Sequence, residues 1–487
     1  MIFNSIDFAI FLPIVFSLYW FVFDKNLKYQ NIVIVIASYL FYGWWDWRFL
    51  ALIFVSSLID FSVGIKLEKE NGKGKRKILL WLSVIVNLGL LGFFKYYNFF
   101  LENFISTFSF FGIGFKANTL NIILPVGISF YTFQTLSYTI DVYKEKLKPS
   151  HNFISFLAFV SFFPQLVAGP IERATNLLPQ FYKRRLFSYK KGVDGIRQIV
   201  WGLFKKIVIA DNCAKFTNEI FTNYASLDGS TLVVGAILFT FQIYGDFSGY
   251  SDIAIGTARL FGFELKQNFA FPYFSRDMAE FWRRWHISLS TWFRDYLYIP
   301  LGGSRGKTIM KVRNVFIIFL VSGFWHGANW TFVLWGLLNA CYFIPIMLTN
   351  RNRNNTDTVA LGKIFPTLKE LLQMSLTFGL TTFAWVFFRA ENITHALSYI
   401  KRIFSSNNFL NLIPQTWGGR MLSDFVFTLC SILILMVVEW FGREQQYGIE
   451  TMFGIKHRYI RWIIYLVLLF YIITFAGSSQ DFIYFQF

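Results

Sequence analysis

Apolar residues run along this chain in long uncharged or nearly uncharged blocks separated by short polar ones, and the blocks recur from one end to the other. They lie near residues 6–23, 30–45, 49–65, 78–94, 120–140, 152–170, 196–210, 231–245, 314–330, 331–349, 370–388, 423–441 and 460–477. A helix needs about 20 such residues to cross a bilayer, where the backbone must satisfy its own hydrogen bonds. The pattern therefore predicts an all-α polytopic membrane protein with about eleven to thirteen crossings. The loops are short and no linker stands out, so residues 1–487 read as a single membrane domain. The opening block, MIFNSIDFAIFLPIVF, has no basic leader and no small-residue cleavage site, which makes it a retained helix rather than a removed signal peptide.

Composition supports this class. Charged residues make up 15% of the chain and aromatics 21%, against about 25% charged in soluble domains. The three cysteines, Cys213, Cys341 and Cys430, form no CxxC pair, and the five histidines include no HExxH or HxH. Neither a disulfide framework nor a metal site is expected. The net charge of +18 sits in short loops: KLEKENGKGKRK at 66–77, KRRLFSYKK at 183–191, the region 276–313, and 443–461. The positive-inside bias explains such loops better than a nucleic-acid face does, so they are expected on the cytoplasmic side.

That assignment sets a parity condition. Loops 66–77 and 183–191 share a side only if an even number of crossings separates them, yet three apolar blocks lie between. The segment FLAFVSFFPQLVAGPIER at 156–173 is interrupted by Pro164 and Gly169-Pro170. It reads as a re-entrant or kinked element lining an internal cavity, where broken backbone is tolerated, or alternatively as an ordinary Pro-kinked helix.

The stretch AEFWRRWHISLSTWFRDYLYIPLGGSRG covers residues 279–306. On one helix advancing about 100° per residue, Phe281, Trp285, Leu289, Trp292 and Tyr296 share an arc of roughly 80°. Glu280, Arg283, Arg284, Thr291 and Arg294 lie opposite, which predicts a helix in the membrane interface. His286 falls at the boundary of the two faces, as an interfacial polar group or a catalytic one. The turn LGGSRG, with Arg305, suits an approach to phosphate but carries no dinucleotide or Walker fingerprint.

Asp246 and Asp252, in QIYGDFSGYSDIAIG, interrupt an apolar block. Carboxylates at membrane depth pair with something: Asp246 orients an imidazole, holds a basic partner, or caps a helix end among headgroups. His326, in VSGFWHGANW, stands in an uncharged run from Asn314 to Asn350. A desolvated imidazole is neutral and can serve as a general base; the alternative is a hydrogen bonder in helix packing. Gly323 and Gly327 leave room beside it for another chain or a ligand. Trp325, with Trp330, and Asn329 are candidates to line or orient the site. No GxSxG elbow or Cys-His pattern supplies a nucleophile.

FWRRWHISLSTWFRDYLYIPLGG, QIYGDFSGYSDIAIG, FFPQLVAGPIER, SGFWHGANWTFVLWG and the terminal FIYFQF together resemble the membrane-bound O-acyltransferase family, and within it the bacterial alginate O-acetyltransferase branch. The likeness is strongest over residues 120–340, with a tail motif in 478–487. It implies about eleven transmembrane helices, with re-entrant and interfacial pieces, around a central funnel in the bacterial inner membrane. It implies transfer of an acetyl group from cytoplasmic acetyl-CoA, with no bound cofactor, towards an extracytoplasmic polysaccharide through an SGNH-type partner. His326 matches the family's membrane-embedded histidine and His286 its second active-site position. Arg283, Arg284, Arg294 and Arg305 become candidates for the donor's phosphates, and Tyr484 for an acyl relay or a partner dock. D-alanyl transfer to teichoic acid, a transporter or flippase, and a scaffold for polysaccharide export are the alternatives.

Overall fold

The computed structural model describes residues 1–112, 118–167, 169–405, 412–414, 417–451, 454–455, 457–476, 480 and 482–483. Among these, every regular element is helical. Contacts divide the chain into two compact units, residues 1–195 with 257–266, and residues 196–256 with 267–487.

The first unit carries α1 (Ile6–Ser17), α2 (Leu27–Asp46), α3 (Leu50–Lys69), α4 (Lys73–Leu91), α5 (Tyr97–Phe110) and α6 (Ile128–Tyr143), then the short α7 (Phe153–Ser161), α8 (Phe163–Leu166) and α9 (Ala174–Leu177). Polar residues at the starts set several boundaries: Ser5, Asn26 and Asn152 each accept a main-chain N–H of the first turn they precede, which satisfies donors that helix geometry leaves orphaned. A buried polar spine joins α3, α4 and α6. Asp60 accepts from Ser83 at 2.5 Å and Asn87 at 2.9 Å, while Thr135 donates to Asn87 at 3.1 Å.

Two expectations change here. The block at 120–140 becomes helical only at Ile128, because Pro125 lacks an amide donor and Gly127 is left-handed at φ 74°. A Cβ on Gly127 would stand 2.5 Å from the Leu166 carbonyl oxygen, so the close approach needs glycine. The segment 156–173 is broken at Phe162 rather than running on as one kinked helix. Helix α7 has 9 residues, less than half a bilayer at about 1.5 Å per residue. The chain turns at Phe162, with ψ 103°, and restarts with Pro164 in the first turn of α8, where proline is tolerated. Residues 155–167 are all buried.

The chain continues through α10 (Tyr189–Leu203), a π-helical turn over Phe204–Ala210, α11 (Asp211–Thr222) and α12 (Gly229–Leu260). Then come α13 (Met278–Arg284), α14 (Ile287–Phe293), α15 (Thr308–His326), α16 (Trp330–Leu348), α17 (Leu368–Arg389), α18 (Ile393–Ser405), α19 (Arg420–Gly442) and α20 (Arg458–Thr474). Seven helical stretches of the described residues are long and apolar enough to cross a membrane, and two of them, Leu27–Lys69 and Lys73–Phe110, hold two helices each. This is a multi-pass membrane protein.

Helix α12 is the most enclosed of the seven, with 78% of its apolar window buried against 17% to 50% for the rest. Glycines let the preceding segment press against it: a Cβ on Gly249 would meet the Gly202 carbonyl oxygen at 2.8 Å, and one on Gly245 the Lys205 oxygen at 2.8 Å. From that contact the adjacent lysines diverge around α12. Lys205 reaches Asp252 at 2.6 Å and Lys206 reaches Asp246 at 2.8 Å. The π turn helps, because it gathers more residues into one turn than an α-helix does.

Helices α15 and α16 form a hairpin in equally close contact. A Cβ on Gly323 would collide with the Phe332 carbonyl, and one on Gly336 with that of Phe319. The room that glycine makes at 323 is thus filled by α16, and at 327 by the Phe332 ring. Gly336→Leu should destabilise the protein by about 1 to 3 kcal/mol through overpacking. Gly379→Leu, on α17 with nothing within 4 Å, should be neutral, and thermal unfolding in detergent compares the two.

Candidate active site

The single interfacial helix expected over residues 279–300 is two helices. His286 separates α13 from α14 in the left-handed conformation, φ 44° and ψ 53°, which a residue with a Cβ holds only where its surroundings impose it. The imposing element is the stretch Asn268–Ala270. Ala270 N–H donates to the Arg284 carbonyl at 2.9 Å and Ile287 N–H to the Asn268 carbonyl at 2.9 Å. The Asn268 side chain also accepts from Ser288 Oγ at 2.8 Å. Both halves keep their apolar sides inward: Trp285, Leu289 and Trp292 are buried. His286 itself is 1% exposed, well inside the protein and not at a face boundary.

The break aims His286 at the end of α15. Its ring centroid lies 6.5 Å from that of His326 and 6.0 Å from Trp325, with Phe247 edge-on at 4.6 Å. Neither nitrogen of His286 has a hydrogen-bond partner among the described residues, so the two imidazoles are not bonded to each other. Burial pushes the His286 pKa down to about 3, and the ring is neutral at physiological pH. His326, 3% exposed, is the last residue of α15 rather than mid-helix; Gly327 leaves the helix in an extended conformation. Around it stand Trp325 at 5.0 Å, Trp335 at 5.1 Å and Phe388 at 5.3 Å. Trp335 stacks on Trp385 at 5.5 Å. Two imidazoles in an aromatic chamber can take a proton from a hydroxyl and return it without competition from water.

A cleft of 1030 Å³ runs along α15. One stripe of α15, Thr308, Lys311, Val315, Phe319 and Ser322, forms its long wall, and the next position on the stripe, one turn beyond Ser322, is His326. Leu289, Phe293, Phe343 and Met347 make the inner part apolar, while Arg294, Arg305, Lys311 and Arg353 give it four cations and no carboxylate. Gly302 and Gly303, both at positive φ, turn the chain at its edge. Such a groove suits a long ligand with an anionic head and an apolar arm.

The expected residues divide accordingly. His326, His286 and Trp325 come together, and Arg294 and Arg305 line the cleft. Arg283 instead clamps the loop after α16, donating to the carbonyls of Asn352 at 2.7 Å and Asn355 at 2.5 Å. Arg284 pairs with Glu280 at 2.9 Å, beside the Arg276–Glu280 pair at 3.0 Å. Asn329 caps α16 by accepting the Thr331 N–H and donates to the Glu391 carbonyl at 2.8 Å. Asp246 lies within α12 and holds Lys206, not an imidazole. Tyr484 falls outside the described residues. Sequence reasoning missed Lys311 and Arg353, and it missed Lys205 and Lys206, whose signal was a charged doublet inside the apolar run WGLFKKIVIA.

With this geometry in place, known proteins are informative. The family profile of the membrane-bound O-acyltransferases matches residues 39–379. A probable alginate O-acetylase of Pseudomonas aeruginosa is 38% identical over 92% of this chain and 82% of its own length. A peptidoglycan O-acetyltransferase of Helicobacter pylori is 34% identical over 98% and 95%. A teichoic acid D-alanyltransferase of Bacillus subtilis is 29% identical over 46% of this chain and 60% of its own.

Proposed function

This chain belongs to the membrane-bound O-acyltransferase family and is an O-acyltransferase; we propose that the group it moves is acetyl, taken from acetyl-CoA on the cytoplasmic side of a bacterial inner membrane and destined for a hydroxyl of an extracytoplasmic polysaccharide. The observation that carries this reading is the cleft along α15, with cations at its rim, an apolar interior and His326 one turn past its end. A nucleotide diphosphate would sit against Arg294, Arg305, Lys311 and Arg353, and the pantetheine arm would follow the α15 stripe inward. His326 removes the proton of the acceptor hydroxyl as its oxygen attacks the thioester carbonyl. The C–S bond breaks, and the departing thiolate takes a proton to leave as the thiol.

Acetyl is favoured over D-alanyl because the acetyltransferase relatives align with 92% and 98% of this chain and the D-alanyltransferase with 46%. The acceptor class follows the relatives' names, alginate and peptidoglycan. Delivery through an SGNH-type partner, with Tyr484 as relay or dock, rests on the likeness of the terminal motif.

The test uses purified protein with radiolabelled acetyl-CoA and acetyl-pantetheine. Wild type should prefer the nucleotide-bearing donor, and Arg305→Ala should raise KM for acetyl-CoA by about tenfold with kcat little changed, as loss of one charged contact does. A wild type that does not distinguish the two donors would sink the assignment of the basic rim.

A further inference from the structure

Beyond the histidine pair, ionisable chemistry concentrates at Lys206, Asp211 and Asp246, which are 1% to 4% exposed as side chains. An ammonium has three N–H donors and no acceptor. Lys206 Nζ donates to Asp211 Oδ1 at 2.7 Å and to the main-chain carbonyl of Gln480 at 3.0 Å, and forms an ion pair with Asp246 Oδ1 at 2.8 Å. The second oxygen of Asp246 accepts the main-chain N–H of Ile483 at 2.7 Å. Before that segment, Asn212 Nδ2 donates to the Phe475 carbonyl at 3.2 Å. The cluster grips Gln480 and Ile483 by their backbone, whatever side chains they carry. Without those two contacts, one ammonium proton and one carboxylate oxygen would be buried without partners, a state that folded proteins avoid.

Seated this way, the segment inserts Phe482, 1% exposed, against Tyr250 at 4.3 Å and Phe247 at 6.0 Å. Phe247 is the ring that meets His286 at 4.6 Å. Because neither His286 nitrogen is hydrogen-bonded among the described residues, packing sets the orientation of that imidazole there. A shift of Phe247 would be transmitted to it directly.

We propose that Lys206, Asp211 and Asp246 form a socket for the backbone of Gln480 and Ile483, and that Phe482, seated by it, positions His286 for acyl transfer by bracing Phe247. Lys206, Asp246 and Phe482 are then positioning residues. The role in transfer rests on the reading that the histidine chamber is the acyl-transfer site.

The experiment uses full-length Phe482→Ala, which leaves the socket's polar contacts in place. Two quantities are measured: turnover with acetyl-CoA, and the rate at which diethyl pyrocarbonate modifies His286 without donor, read by peptide mass spectrometry with exposed His151 as reference. Turnover should fall by about tenfold, as displacement of a reacting group by a fraction of an ångström does. His286 modification should rise by about fivefold as packing loosens locally, with His151 unchanged. Phe482→Leu should bring both back to within about threefold, since it restores most of the volume. Unchanged His286 reactivity in Phe482→Ala overturns the proposal whatever turnover does, and so does unimpaired turnover with an exposed histidine. Should wild type fail to use acetyl-CoA, the donor reading falls, and His286 reactivity still decides the bracing.

Discussion

His326→Ala and His326→Gln both lose acyl transfer, by a factor of about 10² to 10⁴ in turnover, the range that removal of a positioned general base produces. Glutamine keeps polarity and most of the volume in the ring of Trp325, Trp335 and Phe388 but cannot take up a proton. Agreement between the two variants therefore separates lost chemistry from a packing defect. Neither change should unfold the protein, because His326 ends α15 and the hairpin with α16 is held by the glycine contacts at 323 and 336. Donor turnover and thermal unfolding on the same preparations check both halves. A glutamine variant within tenfold of wild-type turnover would remove His326 from the mechanism.

The largest loss of stability is expected at Lys206→Met. The substitution keeps side-chain length and removes the cation that faces Asp211 and Asp246, 2% and 4% exposed. Breaking a buried ion pair from one side costs about 3 to 5 kcal/mol, because the remaining charge stays desolvated and uncompensated. Adding Asp246→Asn removes one of the two stranded carboxylates, so the double variant should recover part of the loss. Unfolding midpoints in detergent, or the folded fraction on size exclusion, distinguish these cases. A single variant within about 1 kcal/mol of wild type would mean that the cluster is wetter than its burial indicates.

Much of the helical plan is written locally. Long apolar blocks underlie α12, α15, α16, α17 and α19, because in lipid a backbone has few alternatives to a helix. The break at His286 was illegible for a physical reason: FWRRWHISLS keeps helical periodicity straight through it. The left-handed residue is imposed by Asn268 and Ala270, which pair with the chain on either side. Asp246 and Asp252 announced a need for partners, yet the lysines that answer lie in another block, and which cation meets which carboxylate is decided by tertiary packing. Arg305 stood out in the basic turn LGGSRG and Arg294 on the polar face of the predicted helix before it, and the family resemblance made both candidates for the donor's phosphates. Arg353 follows α16, and only the folding of the hairpin brings it to the same cleft.

The π turn at Phe204–Ala210 makes the buried ionic cluster depend on the phase of the chain as well as on residue identity. Deleting any one residue of that turn would let it relax to an ordinary α-helix, with every position on one side rotated by about 100°. Both lysines would still be present, but one would swing out of reach of its carboxylate, and the backbone that lies on Gly245 and Gly249 would slip out of register. Sequence comparison across this stretch should therefore weigh a gap more heavily than a substitution.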